Sequence, residues 1–358
     1  MKAVENTLSG SCKPTPTQDF ISPPSGMDSS MVVLERCKDI LSNDRASLSE
    51  KSKAYETMGD ISAKMGQFDE ARKYYTLSSY ASPFNEELYR KRLSLIQRNT
   101  LPRIALSVVI SSYYRFSSLV RTVENVRANT FFPHQIIVVV DKCDDGTVEY
   151  VREQHGKNSF VGLVNERHQG NVASLIKGMC QSQGNYIALL GDDIRLMPGW
   201  DLEVVLTIEN DPQAGCGVPL ILDPDGDIDS AGKFNEFCSP KFEWIGRLKQ
   251  FRTDYACGKN MLNFPELHHP RECDYGVAPV LKRKCLEQIG RVDGAYRHYF
   301  FDPDLGYTLQ EHGWKNIYCP TSVMVHNQRQ SESDDKERNQ KAAPEYYYFV
   351  HKWGLHLP

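Results

Sequence analysis

The stretch Tyr186–Trp200, YIALLGDDIRLMPGW, decides the fold. It runs from an apolar segment straight into two adjacent aspartates, Asp192 and Asp193, and then into the turn Pro198-Gly199. A short, continuous apolar run closed by turn residues reads as a buried strand. Two like charges at the end of such a strand need a counter-charge. The same grammar recurs to either side. ALSVVISS (Ala105–Ser112), QIIVVVD (Gln135–Asp141) and FVGLVN (Phe160–Asn165) precede it, and GCGVPLIL (Gly215–Leu222) follows. Helical patterns over 116–128, 146–153, 171–181 and 200–209 separate these runs. That alternation with short connections predicts an α/β fold, a mainly parallel sheet flanked by helices. Ligands of such sheets bind beyond the carboxyl ends of the strands. Arg115 follows the first strand, Asp141 ends the second, and Asp192 and Asp193 follow the fourth, so polar groups converge on one edge.

Composition narrows the function without naming it. Of 358 residues, 40% are hydrophobic and 25% charged, ordinary globular values. The net charge of -4 balances 42 basic against 46 acidic residues, so no overall field favours nucleic acid or an anionic membrane. Ten cysteines are scattered with no pair at C-x-x-C spacing, which fits reduced thiols in a cytoplasmic protein. No segment has the length and apolarity of a transmembrane helix.

Four regions are expected. Residues 1–30, rich in Ser, Pro, Thr and Gly, form a flexible tail. Residues 31–99 are helical, and within them KAYETMGDISAKMGQFDEARKYYTLSSYASP resembles a tetratricopeptide repeat. Small residues at Gly59 and Ala71 let two helices approach, while Tyr55, Phe68 and Tyr75 fill the crease and MGQF supplies the turn. One repeat cannot bury its own faces, so flanking helices, the following domain or another subunit must cover it. It acts as a cap or as a module docking a protein partner. Residues 100–328 carry the α/β domain, and 329–358 a charged segment followed by an aromatic helix.

Over about 104–327 the order of motifs resembles a family 2 glycosyltransferase of GT-A fold. SVVISSYYRF, IIVVVDKCDDGT, QGNVASLIKGM and GNYIALLGDD are similar to that family's first strand, second strand, glycine-bearing helix and D-x-D segment. DPDGDIDSAG, GVAPVLKRKCLEQIGRVDGAY and YFFDPDLGYTLQEHGWKNIYCPTSVMVHN follow in the family's order. The resemblance implies transfer of a sugar from a nucleotide donor, more often UDP-linked, with Mn2+ or Mg2+. It implies that Asp141 contacts the base, Arg115 the nucleotide and Asp192 the ribose. Asp193 and His326 would bind metal, and Lys177 stands near the phosphates. Asp302 matches the general base of inverting members, with Asp304 structural. Carboxylate oxygens suit such a cation, which offsets the charge of a diphosphate leaving group. The acceptor is open among saccharide, peptide, small molecule and modified nucleic acid, and 235–274 is the variable stretch expected to select it.

Two positions depart from the pattern. Gly191 stands where the first acid of D-x-D is usual, and Phe301 where a glutamate precedes the base. They motivate an alternative, a catalytically degenerate GT-A protein that acts as a binding module through its helical repeat. Nucleotidyltransferase and dehydrogenase readings fail because SSYYRF holds no glycine-rich phosphate loop. DPDGDID is expected to be a hairpin rather than a calcium loop, and His268-His269 a loop rather than a metal site.

Overall fold

The computed structural model describes residues 29–96, 105–233, 256–290, 292–327 and 335–355; the expected tail, most of the charged 329–339 segment and much of 235–274 lie outside the described residues. Strands β1 (Leu106–Ser112), β2 (His134–Asp141), β3 (Val161–Asn165) and β4 (Tyr186–Gly191) form the parallel part of a single sheet in the order β3-β2-β1-β4. The chain therefore winds outward from β1 to β3 and returns to the other side of β1. That reversal makes the gap between the ends of β1 and β4 a switch point, where loops diverge and leave a crevice. Beyond β4 lie β9 (Val280–Lys282), β6 (Ala214–Leu222), β10 (Lys315–His326) and β5 (Ile194–Leu196), with β7 (Ile228–Ser230) on β6 and β8 (Arg271–Cys273) on β10.

Period-2 alternation divides each strand between two cores. Leu106, Val108 and Ile110 of β1 and Ile136, Val138 and Val140 of β2 face α5 (Phe116–Asn129), α6 (Thr147–Gly156) and α8 (Trp200–Glu209). Val109, Ile137 and Val139 face α7 (Asn171–Gln181), α10 (Phe301–Glu311) and α11 (Asp335–Lys352). Strands covered on both faces read as unbroken apolar runs, which is why the pattern was visible. Each large apolar side chain so buried contributes roughly 1.5–3 kcal/mol, and this scaffold tolerates charge at the strand ends. Short α9 (Arg283–Ile289) follows β9.

The N-terminal helices are α1 (Ser29–Ser42), α2 (Leu48–Lys64), α3 (Phe68–Ala81) and α4 (Glu86–Ser94). Ser47 and Glu50 make a capping box that starts α2. Gly59 passes so close to Tyr75 that a Cβ there would meet the ring at 2.6 Å, and Ala71 is fully buried, as the close-approach argument requires. Phe68 differs from expectation: it opens α3 and is 49% exposed, so the crease is filled without it. Cover comes from two sides. Cys37, Val33, Leu34 and Leu41 of α1 pack on Ala54 and Met58, while Tyr80 and Tyr89 join the core of the α/β domain. Arg92, 1% exposed, donates to Thr321 O at 2.8 Å, and its Nε lies 3.1 Å from Glu203 Oε1 on α8. Among the described residues every cysteine is a free thiol, and no helix is long and apolar enough to cross a membrane.

Candidate active site

β1 and β4 are neighbours in register, Ser111 opposite Gly191, so whatever follows each strand meets at the switch point. Arg115, just before α5, reaches Asp193 Oδ2 at 2.5 Å and Asp192 Oδ1 at 3.2 Å. Ser112 Oγ donates to Asp192 Oδ2 at 2.5 Å, and Ser118 and Thr122 of α5 both donate to the Asp192 carbonyl at 2.8 Å. Helix α5 thus holds the acidic turn from behind. Burial pushes the Asp192 carboxyl up, against the hydrogen bond of Ser112 and the charge of Arg115, to about 6. The departure at Gly191 has a local reason. A Cβ there would come within 2.8 Å of Asp193 Oδ1, so the glycine leaves space for that carboxylate.

The last strand closes the cluster. His326, at the end of β10, pairs with Ile194, which brings its Nε2 to 3.6 Å from Asp193 Oδ1. Its Nδ1 lies 3.3 Å from Asp229 Oδ2 on β7. Burial opposes charge on the imidazole, but the two carboxylates outweigh it and raise the ring to about 9. Burial likewise pushes Asp193 up, and His326 and Arg115 together bring it below the ordinary carboxylate value. Three acids and two cationic groups therefore share one small volume. Among the described residues no three His, Cys, Asp or Glu side chains form a ready metal cage. Asp193 and His326 could together hold a hard cation whose remaining ligands came from a bound molecule's oxygens. Such binding requires His326 to lose its proton and Arg115 to yield its place on Asp193.

A cavity of about 310 Å³ extends from this cluster, lined at its far end by Asp141, His168, Ser174 and His298. That is enough for a nucleotide-sized ligand. Asp141, 2% exposed, is engaged by the protein itself: it accepts from Asn165 Nδ2 at 2.8 Å and from the Gln169 and Gly170 amides at 2.9 Å each. The side chain expected to meet the base thus holds the β3–α7 loop. Gly170 and Asn171, at the start of α7, line the cavity. Lys177, nearly two turns further along, does not; it is exposed and donates to Val164 O and Asn165 Oδ1. Asp302 also lies outside that lining, in the first turn of α10. It has no hydrogen-bond partner among the described residues, and burial, with Lys233 pulling the other way, raises it to about 6. Phe301, in place of an acid, packs into the core at 3% exposure. Asp304 accepts from Tyr296, Lys352 and Trp353. His268 Nε2 donates to Met261 O and its ring lies against Tyr80, a structural position.

The model of the family described as Glycosyltransferase like family 2 matches residues 102–344. The chain belongs to that family. Its sheet, with the switch between β1 and β4, has the GT-A arrangement. The glucosyl-dolichyl phosphate glucuronosyltransferase of Haloferax volcanii is 31% identical over 147 residues, 39% of this chain and 44% of that protein. An N-acetylglucosaminyl-diphospho-decaprenol L-rhamnosyltransferase of Mycobacterium tuberculosis is 24% identical over 163 residues, 42% of this chain and 50% of that one. The chain spans half or less of these curated relatives. Among solved structures it is similar to GalNAc-T7 with UDP, GalNAc and Mn2+, at 18% identity and a TM-score of 0.49, covering 69% of this chain and 50% of that one. In this family member the motifs located Arg115, Asp192, Asp193 and His326 in one cluster and Asp141 across the cavity. They missed Ser112, Asp229, Tyr113, His168 and His298. Asp229 stood in a motif read only as a hairpin, Ser112 and Tyr113 stood inside SVVISSYYRF without a role assigned to them, and His168 and His298 sit in loops without a pattern of their own.

Proposed function

We propose that the protein transfers a sugar from a nucleoside-diphosphate donor, UDP-linked in the first instance, to an acceptor hydroxyl with inversion at the anomeric carbon. The observation that carries this reading is the cluster of Asp192, Asp193, Arg115 and His326 at the mouth of a cavity whose far end is walled by rings. Arg115 orients the diphosphate through its planar fork. Asp192, fixed by Ser112, faces the ribose. A divalent cation held by Asp193 and His326 together with the donor's phosphates would neutralise charge on the leaving nucleoside diphosphate.

Asp302 accepts the proton of the acceptor hydroxyl as its oxygen bonds to the anomeric carbon, while the bond to the diphosphate breaks and its electrons leave with the nucleotide. A carboxyl raised toward neutrality is better matched to that task than an ordinary one. The N-terminal helices, whose sequence resembles a tetratricopeptide repeat, cap the catalytic domain. Mass analysis and NMR of products from a panel of sugar nucleotides and acceptors with Mn2+ test the proposal. Asp302→Asn is expected to lower turnover about 10²- to 10⁴-fold, and Asp193→Ala to abolish Mn2+-dependent nucleotide binding. Full turnover by the first variant removes the base assignment; unchanged binding by the second removes the metal assignment. Failure of every nucleotide to bind favours the scaffold reading.

A further inference from the structure

The family match ends at residue 344, and helix α11 makes its most specific contact one residue later. Glu345 Oε2 accepts three consecutive backbone amides, those of Arg297 at 2.9 Å, His298 at 3.1 Å and Tyr299 at 2.9 Å. Three donors converging on one carboxylate oxygen make a charge-assisted clamp on the loop that leads into α10. The clamped loop is in turn joined to the cavity. Arg297 O accepts from Val172 N at the start of α7 (3.2 Å), and Arg297 Nη2 donates to His168 O (3.2 Å).

His298 stacks on His168 with ring centres 5.6 Å apart and planes 25° from parallel. His168 stacks on Tyr113 at 4.2 Å and 21°. A column of three rings thus forms from the loops after β1, after β3 and before α10. Its end members, Tyr113 and His298, are both exposed at the cavity. Asp141, whose oxygens are engaged by the β3–α7 loop, borders the column at 2.9 Å from His168 Nδ1. Flat rings at the far end of a cavity whose near end holds diphosphate-binding chemistry suit a flat heteroaromatic base.

We propose that Glu345, beyond the family match, is a positioning residue which seats His298 in this column, and that His298 so placed adds a stacking face for the donor's nucleobase. The inference rests on the nucleotide-sugar reading above. Helix α11 stays docked without Glu345, because Lys352 bridges Asp293 and Asp304 at 2.8 Å each, Trp353 donates to Asp304, and Tyr346, Phe349 and Val350 are buried. Glu345→Ala should therefore fold, and it disturbs the far end of the cavity while leaving the near end intact.

Calorimetry with two probes separates these ends: UMP or GMP, which carry a base, and inorganic pyrophosphate with Mn2+, which does not. Loss of one stacking partner predicts about 10- to 100-fold weaker nucleoside monophosphate binding by Glu345→Ala, with pyrophosphate binding unchanged. His298→Ala should weaken it to a similar degree, and the double variant no further. Glu345→Gln, which keeps one acceptor oxygen, should recover most of the affinity. Wild-type affinity in Glu345→Ala, equal loss of both probes, or additive losses in the double variant would overturn the inference. A wild type that binds neither monophosphate overturns the nucleotide reading itself, so the two failures are distinct.

Discussion

Asp192 and Asp302 show how surroundings separate two carboxyls that the sequence presents as equals. Both are raised to about 6 by burial, but Asp192 is tied to Ser112 and Arg115, whereas Asp302 has only the field of Lys233 against desolvation. A carboxyl raised in the folded state binds its proton more tightly there than in the unfolded chain. Folding is then uncompromised below the unfolded value, near 4, and loses stability as pH rises toward 6, after which the loss is constant. Asp302→Asn should accordingly be more stable than the wild type at pH 7, by about 1–3 kcal/mol, with the difference gone below about pH 4. Urea titrations at several pH values measure it; equal stability at pH 7 would contradict the burial argument. The wild-type transfer rate should fall through an acid limb near 6, when the same group takes up its proton. Arg115, Asp192, Asp193 and His326 were legible because each follows an apolar strand, and strand ends share an edge. Lys177 was not, because helix phase decides its direction: Ser174 lines the cavity and Lys177, one turn on, turns to β3.

At the scale of elements, α7 shows what a motif states and what it conceals. Its glycines, eight residues apart, were readable as a pattern, but the reason for them required the packed structure. Gly178 lets the helix settle on β1, where a Cβ would come within 2.3 Å of Val109. Gly170 has φ +97°, and a Cβ there would lie 2.7 Å from the backbone oxygen of Arg297. That oxygen accepts the Val172 amide and cannot move without releasing the helix start. Gly170→Ala is therefore expected to destabilise by about 1–3 kcal/mol through strain and, more tellingly, to weaken nucleotide binding, since the same shift displaces His168 and His298. Thermal melting and calorimetry on one preparation test both parts. A variant with wild-type affinity would show that the loop and the cavity are independent. The ring column was illegible for the same reason, since three loops far apart in sequence supply it and only the switch point brings them together.

At the scale of the molecule, the question is whether the helical segment is a detachable module or part of one cooperative unit. Its sequence left both open, because a repeat without neighbours must be covered but does not say by what. The contact with α8 bears on it directly. Arg92 and Glu203 are 1% and 3% exposed, with Arg72 also reaching Glu203 at 3.3 Å, and Arg195 in turn pairs with Glu86 at 2.9 Å. A buried pair contributes little when compared with an apolar pair of equal volume, yet removing one partner strands the other charge. Glu203→Ala should thus cost about 3–5 kcal/mol, whereas the double replacement Arg92→Met with Glu203→Leu should lie much closer to the wild type. If the helices and the α/β domain are one unit, Glu203→Ala shifts a single unfolding transition seen alike by circular dichroism and by nucleotide binding. A separate early transition that spares nucleotide binding would instead make the segment a module. The buried charge, and Tyr80 and Tyr89 within the main core, argue for the single transition.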